Sequence, residues 1–361
     1  MNCWRMARRT MTAVFLPKTF TVFRDYTGRQ LVRDLIAGVT VGFVALPLAL
    51  ALGIGSLPTS VADAAGISPP VAGLVTAVVA GFLISALGGS RVAIGGPTAA
   101  FIVIVATIAQ KHGYDGLAVA TILAGVILIA LGLSGMGAMI KYIPYPVTTG
   151  FTTGIGVTIF AGQIKDFFGL HKATPDDPSI PAEFVGKMHW YFTHAGTIQW
   201  PTAAMAAACV AAIFLWPKFV TKRVPGPIVV LVGATVVTQV FKLPLETIHD
   251  RFGDLPAGLP MPRMPRFEWT QIGELVGPAI TIALLAAIES LLCAVVADGM
   301  LGTKHRSNTE LVAQGVANIA SPLFGGIPAT GAIARTATNV QSGGRTPAAG
   351  MIHALVLLLV L

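Results

Sequence analysis

The sequence predicts an all-α membrane protein that crosses the bilayer many times. Of the 361 residues, 54% are hydrophobic and only 11% are charged, which is too little polar side chain to cover a soluble domain. Long apolar stretches recur along the chain, and two short segments are interrupted by Gly and Pro at corresponding places. Together these observations favour a polytopic transporter built from inverted repeats.

Several apolar stretches approach the roughly 20 residues that a helix needs to cross a bilayer. A helix is the only open element that satisfies its own backbone in lipid, so each stretch is expected to be helical. The clearest stretches are Val71–Leu87, Leu117–Leu133, Val147–Phe168 and Leu275–Val296. The polar stretches Gly169–Gln199 and Lys242–Gly273 contain Pro and other turn-forming residues, and they are predicted to be outer loops.

The Lys and Arg residues determine the predicted orientation. The net charge of +8 is not gathered into one patch for nucleic acid. More of the basic residues fall in the predicted inner loops than in the outer ones, which places the N-terminus in the cytoplasm. The basic segment Arg5–Arg33 has no short apolar core followed by a cleavage site, so no signal peptide is predicted. We expect a multi-pass protein of a bacterial inner (plasma) membrane, with lipid and not nucleic acid around it.

The two interrupted segments have similar sequences. Gly95–Ala100 is Gly-Gly-Pro-Thr-Ala-Ala, and Gly325–Thr330 is Gly-Gly-Ile-Pro-Ala-Thr. The first is followed by only about ten apolar residues before Gln110, too few to cross alone as a helix. Such a pair predicts half-helices whose N-termini meet near the bilayer midplane. Because helix N-termini carry partial positive charge and free N–H groups, the expected ligand is a small inorganic or organic anion.

Two ionisable residues lie inside apolar segments. Glu289 lies about two-thirds along Leu275–Val296, where a carboxyl group is a functional candidate unless it only bonds a neighbouring helix. Desolvation favours its neutral form, which suits reversible protonation or cation binding. Arg335 follows the second interrupted segment and keeps its charge. It either attracts an anion or forms a structural ion pair with a carboxylate.

Other polar and reactive residues are expected to have no functional role. Asp298 and Glu310 lie at span ends beside basic residues, which predicts solvated loop positions. The cysteines are odd in number, and two of them lie in apolar runs. We therefore expect Cys3, Cys209 and Cys293 to be packed small residues and not a disulfide framework or a metal site.

Several motifs, in order along the chain, strongly resemble the sulfate permease (SulP, solute-carrier 26) family. They are Asp34–Gly38 with Pro47, Gly96–Thr98, Glu289–Asp298, Asn308–Asn318, Gly325–Asn339 and Gly343–Thr346. The resemblance covers about residues 33–361. It implies a 7+7 inverted-repeat (UraA-like) fold of fourteen segments, in which a core domain moves against a gate domain. A cytoplasmic STAS domain usually follows.

The resemblance also implies a division of the chain. Residues 1–33 would form a cytoplasmic N-terminal segment, 34–243 the first repeat with segments 1–7, and 244–273 an outer loop. Residues 274–361 would form an incomplete second repeat with segments 8–11. The last apolar run, Ala354–Leu361, has no polar flank, so the chain is expected to be truncated and to lack the STAS domain. The full-length protein is expected to be a homodimer.

The family's anion site implies specific residues in this sequence. Thr98 and Ala99 would lie opposite the second interrupted segment, represented by Thr330, Gly331, Ala332, Ile333 and Arg335. Glu289 falls at the position of the coupling carboxylate. Sodium-coupled bicarbonate members tend to carry Asp there with Thr four residues on, whereas this chain has Cys293. Since sulfur is a poor sodium ligand, H⁺ is preferred to Na⁺ as the coupling ion, and no further cofactor is expected.

The expected function is therefore proton-coupled secondary active transport of sulfate, bicarbonate or a dicarboxylate by alternating access. A sodium-coupled bicarbonate transporter and an uncoupled anion channel are the nearest alternatives, and a nucleobase carrier is more remote. Gly132–Gly135 also matches a short intramembrane serine protease pattern, with His353 as a conceivable base. Small residues are ordinary in membrane helices, and the sequence has no H-E-x-x-H, so an enzyme is not expected.

Overall fold

The computed structural model describes residues 16–138, 145–172, 180–181, 183–220, 226–247, 249–250, 258–266 and 272–361. These residues are almost entirely helical, as the sequence predicts. The chain forms two compact units, Met1–Pro144 with Pro256–Leu361, and Tyr145–Leu255. Both interrupted segments belong to the first unit.

The first unit contains nine helices among its described residues and one pair of very short strands. Its elements are α1 (Lys18–Val22), α2 (Gly28–Ser56), α3 (Thr59–Ala65), α4 (Pro69–Leu87), β1 (Gly95–Gly96), α5 (Ile102–Leu133), α10 (Ile272–Leu301), α11 (Ser307–Leu323), β2 (Thr330–Gly331), α12 (Ile333–Gln341) and α13 (Pro347–Val360). A 3₁₀ turn, Ala99–Phe101, connects β1 to α5. In the second unit the helices are α6 (Tyr145–Phe168), α7 (Phe184–Thr193), α8 (Trp200–Phe219) and α9 (Gly226–Phe241).

Five helices in the described part of the chain are long and apolar enough to cross a bilayer. They are Gly28–Ser56, Pro69–Leu87, Ala99–Leu133, Trp200–Phe219 and Ile272–Leu301. Large apolar side chains on α8 are exposed, including Phe214 at 78% and Phe219 at 71%. Exposed apolar surface of this kind is stable against lipid and costly against water.

Small residues allow the helices of the first unit to pack closely. A β-carbon on Gly125 of α5 would lie 2.6 Å from the carbonyl oxygen of Gly315, and one on Gly315 of α11 would lie 2.5 Å from that of Gly125. The two backbones are therefore in direct contact, as is common where membrane helices associate. This contact fixes α11, and with it the segment that follows, against α5.

The start of α13 is fixed by a carboxylate from α2. Asp34 is fully buried, and its Oδ1 accepts hydrogen bonds from the backbone N–H groups of Arg345 at 2.9 Å and Thr346 at 3.3 Å. Its Oδ2 accepts from the Thr346 hydroxyl at 2.5 Å and from the Tyr26 hydroxyl at 3.0 Å. Helix N-termini have free N–H groups that an acidic side chain can satisfy. Asp34 thereby holds α2 and α13 together.

Helix α2 begins at Gly28, because Thr27 and Gln30 form a capping box ahead of the apolar run. Two predicted features differ from the structure. The predicted interruption near Gln110 lies at Gly113 instead, whose positive φ of 69° breaks the regular geometry within α5. The predicted outer loop 169–199 contains α7, whose Trp190 and Tyr191 are buried against Leu170. An apolar cluster thus makes part of that polar stretch helical.

Candidate functional site

The two interrupted segments meet as an antiparallel strand pair. Gly95 is opposite Gly331, and Gly96 is opposite Thr330. Beyond the pair, the backbone N–H of Ala332 donates to the carbonyl oxygen of Ile94 at 2.8 Å. This is the meeting of two broken segments that the sequence predicts.

Side chains satisfy the irregular backbone that leads into β2, which is necessary because lipid offers no hydrogen bonds. Asn318 of α11 bonds both backbone groups of Ala329, accepting from its N–H at 2.9 Å and donating to its carbonyl at 2.8 Å. The Thr76 hydroxyl accepts from the N–H of Ile327 at 2.7 Å. The Tyr114 hydroxyl donates to the carbonyl oxygen of Gly326 at 2.8 Å. Specific side-chain hydrogen bonds therefore stabilise the break, which is not a frayed helix end.

Helix α10 supports β2 from the side. The Ser290 hydroxyl accepts from the N–H of Gly331 at 3.2 Å and shares a hydrogen bond with the Thr330 hydroxyl at 2.7 Å. Thr330 also donates to the carbonyl oxygen of Ala286 at 3.1 Å. Cys293, one turn further along α10, lies 3.1 Å from the hydroxyl of Thr336. These contacts bind α10 to the second broken segment.

A helical turn begins directly after each strand, and no side chain caps either start. The N-cap residues are Thr98 for the 3₁₀ turn before α5 and Ala332 for α12, and neither makes a side-chain cap hydrogen bond. Uncapped N-termini present N–H donors and partial positive charge. Because the strands are antiparallel, the two starts lead away from the pair in opposite directions. Their donors are suited to an anion held between them.

Glu289 lies beside the first of these starts. The Thr98 hydroxyl donates a hydrogen bond to its Oε2 at 3.0 Å, and both residues are half-buried. The carboxyl group is therefore neither sealed in the core nor fully exposed. A group in this position can exchange a proton with its surroundings and still contact the broken segment.

Arg335 lies behind β1, in the first turns of α12, and only 2% of it is exposed. Its Nη2 donates to the carbonyl oxygen of Pro97 at 3.3 Å, while Nη1 has no hydrogen-bond partner among the described residues. A β-carbon at Gly96, which has a φ of 150°, would overlap that guanidinium nitrogen. Gly96 therefore provides the space that the Arg335 side chain occupies.

No carboxylate of the described residues lies within 4 Å of Arg335, and the ion pair found among them joins His305 to Asp298. The alternative of a structural ion pair for Arg335 thus finds no support in this part of the chain. A buried cation without a carboxylate is costly. It creates a positive potential at the strand pair that an anion would neutralise.

The predicted site residues differ in their access to a ligand. Thr98, Ala99 and Glu289 are half-buried, and Ile333 is 37% exposed. Ala332 is 8% exposed, so it can contribute mainly backbone. Thr330 and Gly331 are buried within the strand pair, where the Thr330 hydroxyl is already bonded to α10.

The expected loop position of Glu310 is wrong. Glu310 is 1% exposed, and its Oε2 accepts hydrogen bonds from the N–H groups of Gly89 at 2.8 Å and Ser90 at 3.0 Å. Gln314 donates to its other oxygen at 3.2 Å. The chain leaves α4 at Gly88 with free N–H groups, and a buried carboxylate satisfies them. Asp298 does lie beside a loop, where it accepts hydrogen bonds from Thr303 and His305.

Ser290, Asn318 and Thr336 support the site and were not singled out in the sequence. Each is fully buried, and Thr336 accepts from the N–H of Ile94 at 2.9 Å. The sequence marks them in the same way as Glu289, because each is a polar residue within an apolar or buried segment. Small hydroxyl and amide groups are frequent in membrane helices, so this signal alone does not separate them from packing residues.

The remaining reactive residues that the sequence brings forward are the cysteines, Ser134 and His353. Cys209 and Cys293 are free thiols, while Cys3 lies outside the described residues. Among the described residues, no group of His, Cys, Asp and Glu could hold a metal ion. The Ser134 hydroxyl donates to the carbonyl oxygen of Leu131 in its own helix turn at 3.0 Å, and His353 is buried in α13.

Two broken helices that meet at a strand pair inside a helical membrane protein define an inverted-repeat transporter architecture. Residues 31–361 match the sulfate permease family. The chain belongs to this family.

Two curated relatives illustrate the similarity. A putative sulfate transporter, YvdB, of Bacillus subtilis is 42% identical over 341 residues, which cover 94% of this chain and 61% of the relative. The bicarbonate transporter BicA of Picosynechococcus is 34% identical over 348 residues, covering 94% of this chain and 58% of the relative. The chain thus spans about three-fifths of the length of these relatives. Both relatives are named as transporters and not as enzymes, in agreement with the expectation that an enzyme is not encoded here.

Solved structures share the fold. The transmembrane domain of a cyanobacterial bicarbonate transporter BicA matches with a TM-score of 0.78 and 33% identity, covering 93% of this chain and 82% of that domain. Murine Slc26a9, an anion transporter in an inward-facing state, matches with a TM-score of 0.79 and 20% identity, covering 97% of this chain and 59% of that one. The second match shows the fold alone. The predicted all-α, UraA-like inverted-repeat fold is confirmed.

Proposed function

We propose that this protein is a secondary active transporter that moves a small anion, such as sulfate, bicarbonate or a dicarboxylate, by alternating access. The observation that carries the proposal is the strand pair of β1 and β2 with an uncapped helical turn after each strand. The curated relatives, named as sulfate and bicarbonate transporters, support the same class of substrate. Thr98, Ala99, Thr330, Gly331, Ala332 and Ile333 would form the anion site.

Arg335 would supply positive potential and not a direct contact. Its guanidinium group is buried behind β1 and bonds the Pro97 carbonyl. A charge in a low-dielectric environment acts over a longer range than one in water. The bound anion would therefore contact backbone N–H groups while Arg335 stabilises its charge from behind.

Glu289 would bind the coupling proton. In its ionised form it accepts the Thr98 hydrogen bond and places a negative charge beside the anion site, which opposes anion binding. Protonation removes that repulsion, so proton and anion binding would favour one another. This reciprocity is what symport requires.

Sodium coupling is the second candidate, because one relative and one similar structure are bicarbonate transporters at 34% and 33% identity. Against it, the thiol at Cys293 lies against Thr336 within the buried core. A hard cation such as Na⁺ prefers oxygen ligands to sulfur. Proton coupling is therefore the main proposal.

We also propose how the chain is divided into repeats, how it is oriented in the membrane and how it assembles. The two repeats would comprise residues 34–243 and 274–361, separated by the loop 244–273 and preceded by a cytoplasmic segment, residues 1–33. The N-terminus would face the cytoplasm of a bacterial inner membrane, and the full-length protein would be a homodimer.

Uptake into proteoliposomes tests the function. The purified protein is reconstituted, and accumulation of labelled sulfate, bicarbonate, fumarate, chloride and uracil is measured under imposed H⁺ and Na⁺ gradients. Accumulation of an anion driven by the H⁺ gradient is the expected result. Accumulation that needs Na⁺ would support the second candidate. Gradient-independent anion flux would indicate a channel, and uptake of uracil alone would contradict an anion transporter.

A further inference from the structure

A positively charged cavity lies away from the strand pair, at the ends of α4 and α10. It has a volume of about 520 Å³. Its walls come from α1 and the turn after it, from Gln30 at the start of α2, from Arg91 beyond α4, and from the connection between α10 and α11. Pockets of this size commonly hold a small organic molecule.

The charge in this cavity is strongly unbalanced. Lys18, Arg91, Lys304 and Arg306 line it, and Asp25 is the carboxylate among the described lining residues. None of the four cations forms an ion pair in the described part of the chain. Asp298 lies nearby, but Thr303 and His305 already bond its two oxygens.

The cations affect one another. Burial, together with the positive charges of Arg306 and Arg91, lowers the pKa of the Lys18 amino group, and Asp298 opposes this effect. The Nε of Arg91 is buried and has no hydrogen-bond partner among the described residues. Mutual repulsion and an unused donor are costs that a bound anion would remove.

The backbone holds these groups in place. The N–H of Lys18 donates to the carbonyl oxygen of Gly88 at 3.0 Å, and the N–H of Arg306 donates to that of Gly89 at 2.9 Å. The Arg306 guanidinium also donates to the carbonyl oxygen of Leu16. The backbone at Lys18 and the side chain of Arg306 are therefore held in place, which lowers part of the entropic cost of binding.

We propose that this cavity binds a phosphate-bearing anion, either the headgroup of an anionic phospholipid or a soluble organic phosphate. An Arg guanidinium group can donate two parallel hydrogen bonds to phosphate oxygens, and a Lys ammonium group supplies a compact positive charge. Four cations suit a negatively charged phosphate group, and the volume suits a group larger than a single inorganic ion. Such a ligand would link α1 to the connection between α10 and α11.

The test measures the unfolding midpoint of the protein in phosphatidylcholine nanodiscs while glycerol 3-phosphate is titrated, and again in nanodiscs that contain phosphatidylglycerol. The double variant Arg91→Gln/Lys304→Gln removes two of the cations. Arg29→Gln/Arg33→Gln is the matched control, because it removes two exposed charges of α2 that do not line the cavity. Lys304→Gln alone, at an exposed position, serves if the double variant does not fold.

We expect glycerol 3-phosphate or phosphatidylglycerol to raise the midpoint of the wild type and of the control. The cavity variant should need a roughly tenfold or greater ligand concentration for the same rise. A rise with glycerol 3-phosphate but not with phosphatidylglycerol identifies a soluble phosphate as ligand. A rise with phosphatidylglycerol, with or without a rise from the soluble fragment, identifies the lipid headgroup. No rise with either, or an equal loss in the control, would overturn the proposal.

Discussion

The Thr98 hydroxyl donates a hydrogen bond to the Glu289 carboxyl group at 3.0 Å and so joins the first broken segment to α10. The two residues are 191 positions apart in the chain. One end of this bond is the N-cap of the turn proposed to bind the anion, and the other is the proposed proton carrier. The bond thus gives a direct physical route by which the ionisation of Glu289 can affect the anion site.

Replacing Glu289 with Gln should abolish anion accumulation driven by a proton gradient. The amide cannot gain or lose a proton, but its oxygen can still accept the Thr98 hydrogen bond, so anion exchange should persist in part. Proteoliposome uptake with and without a pH gradient measures proton-driven accumulation and anion exchange separately. Glu274→Gln is the control, since Glu274 is exposed near the start of the same helix and should behave as wild type. Normal pH-driven accumulation in Glu289→Gln would refute the coupling role.

Replacing Thr98 with Val should weaken transport and leave the fold intact. The Glu289 carboxylate loses its donor, and loss of a hydrogen bond to a charged group corresponds to roughly a tenfold effect or more. Initial uptake rates at fixed pH measure this loss. Thr98→Ser keeps the hydroxyl and should recover most of the rate. Thr107→Val is the control, because the exposed Thr107 hydroxyl bonds the Val103 carbonyl of its own helix. Equal rates in Thr98→Val and Thr107→Val would exclude a role for this bond.

Replacing Arg335 with Ala should lower anion affinity by roughly tenfold or more, since a buried charge acts through a low dielectric. The variant should fold, because no carboxylate of the described residues loses a partner. The concentration dependence of uptake gives the anion affinity. The affinity of Arg335→Lys should lie between those of the wild type and Arg335→Ala. An unchanged affinity in Arg335→Ala would make the residue structural.

The sequence predicted the broken segments and Glu289 because both signals are local. Gly and Pro interrupt a helix wherever they occur, and a carboxyl group in an apolar run is unfavourable whatever surrounds it. Glu310 was misjudged because its environment is not local. Its partner Gly89 is 221 positions away, and nothing in the sequence near a span end distinguishes water from a distant backbone N–H. The same reason applies to Ser290, whose partners Thr330 and Gly331 lie 40 and 41 positions away. Asn318 bonds Ala329 only 11 positions along the chain, but an amide in a membrane helix does not by itself differ from a packing residue.

Replacing Ser290 with Ala should destabilise the protein by about 1–3 kcal/mol, the cost of losing hydrogen bonds within a buried network. Both the Gly331 N–H and the Thr330 hydroxyl lose this partner, so anion binding should weaken as β2 loosens. Thr281→Ala on the same helix is the control, since the exposed Thr281 hydroxyl bonds the Gly277 carbonyl of α10 itself. Thermal unfolding in detergent compares the two variants. Similar midpoints would show that Ser290 does not support the strand.

Replacing Gly125 with Ala tests the contact that holds α11 against α5. The added methyl group would lie 2.6 Å from the Gly315 carbonyl oxygen, and the backbones must separate, so we expect a loss of about 1–3 kcal/mol as in other overpacked cores. Gly299→Ala in α10 is the matched control, because a β-carbon there meets nothing within 4 Å and the position is exposed. Alanine should be neutral at Gly299, or stabilising by up to about 1 kcal/mol through helix propensity. If both variants unfold at the same temperature, the close helix contact does not stabilise the first unit.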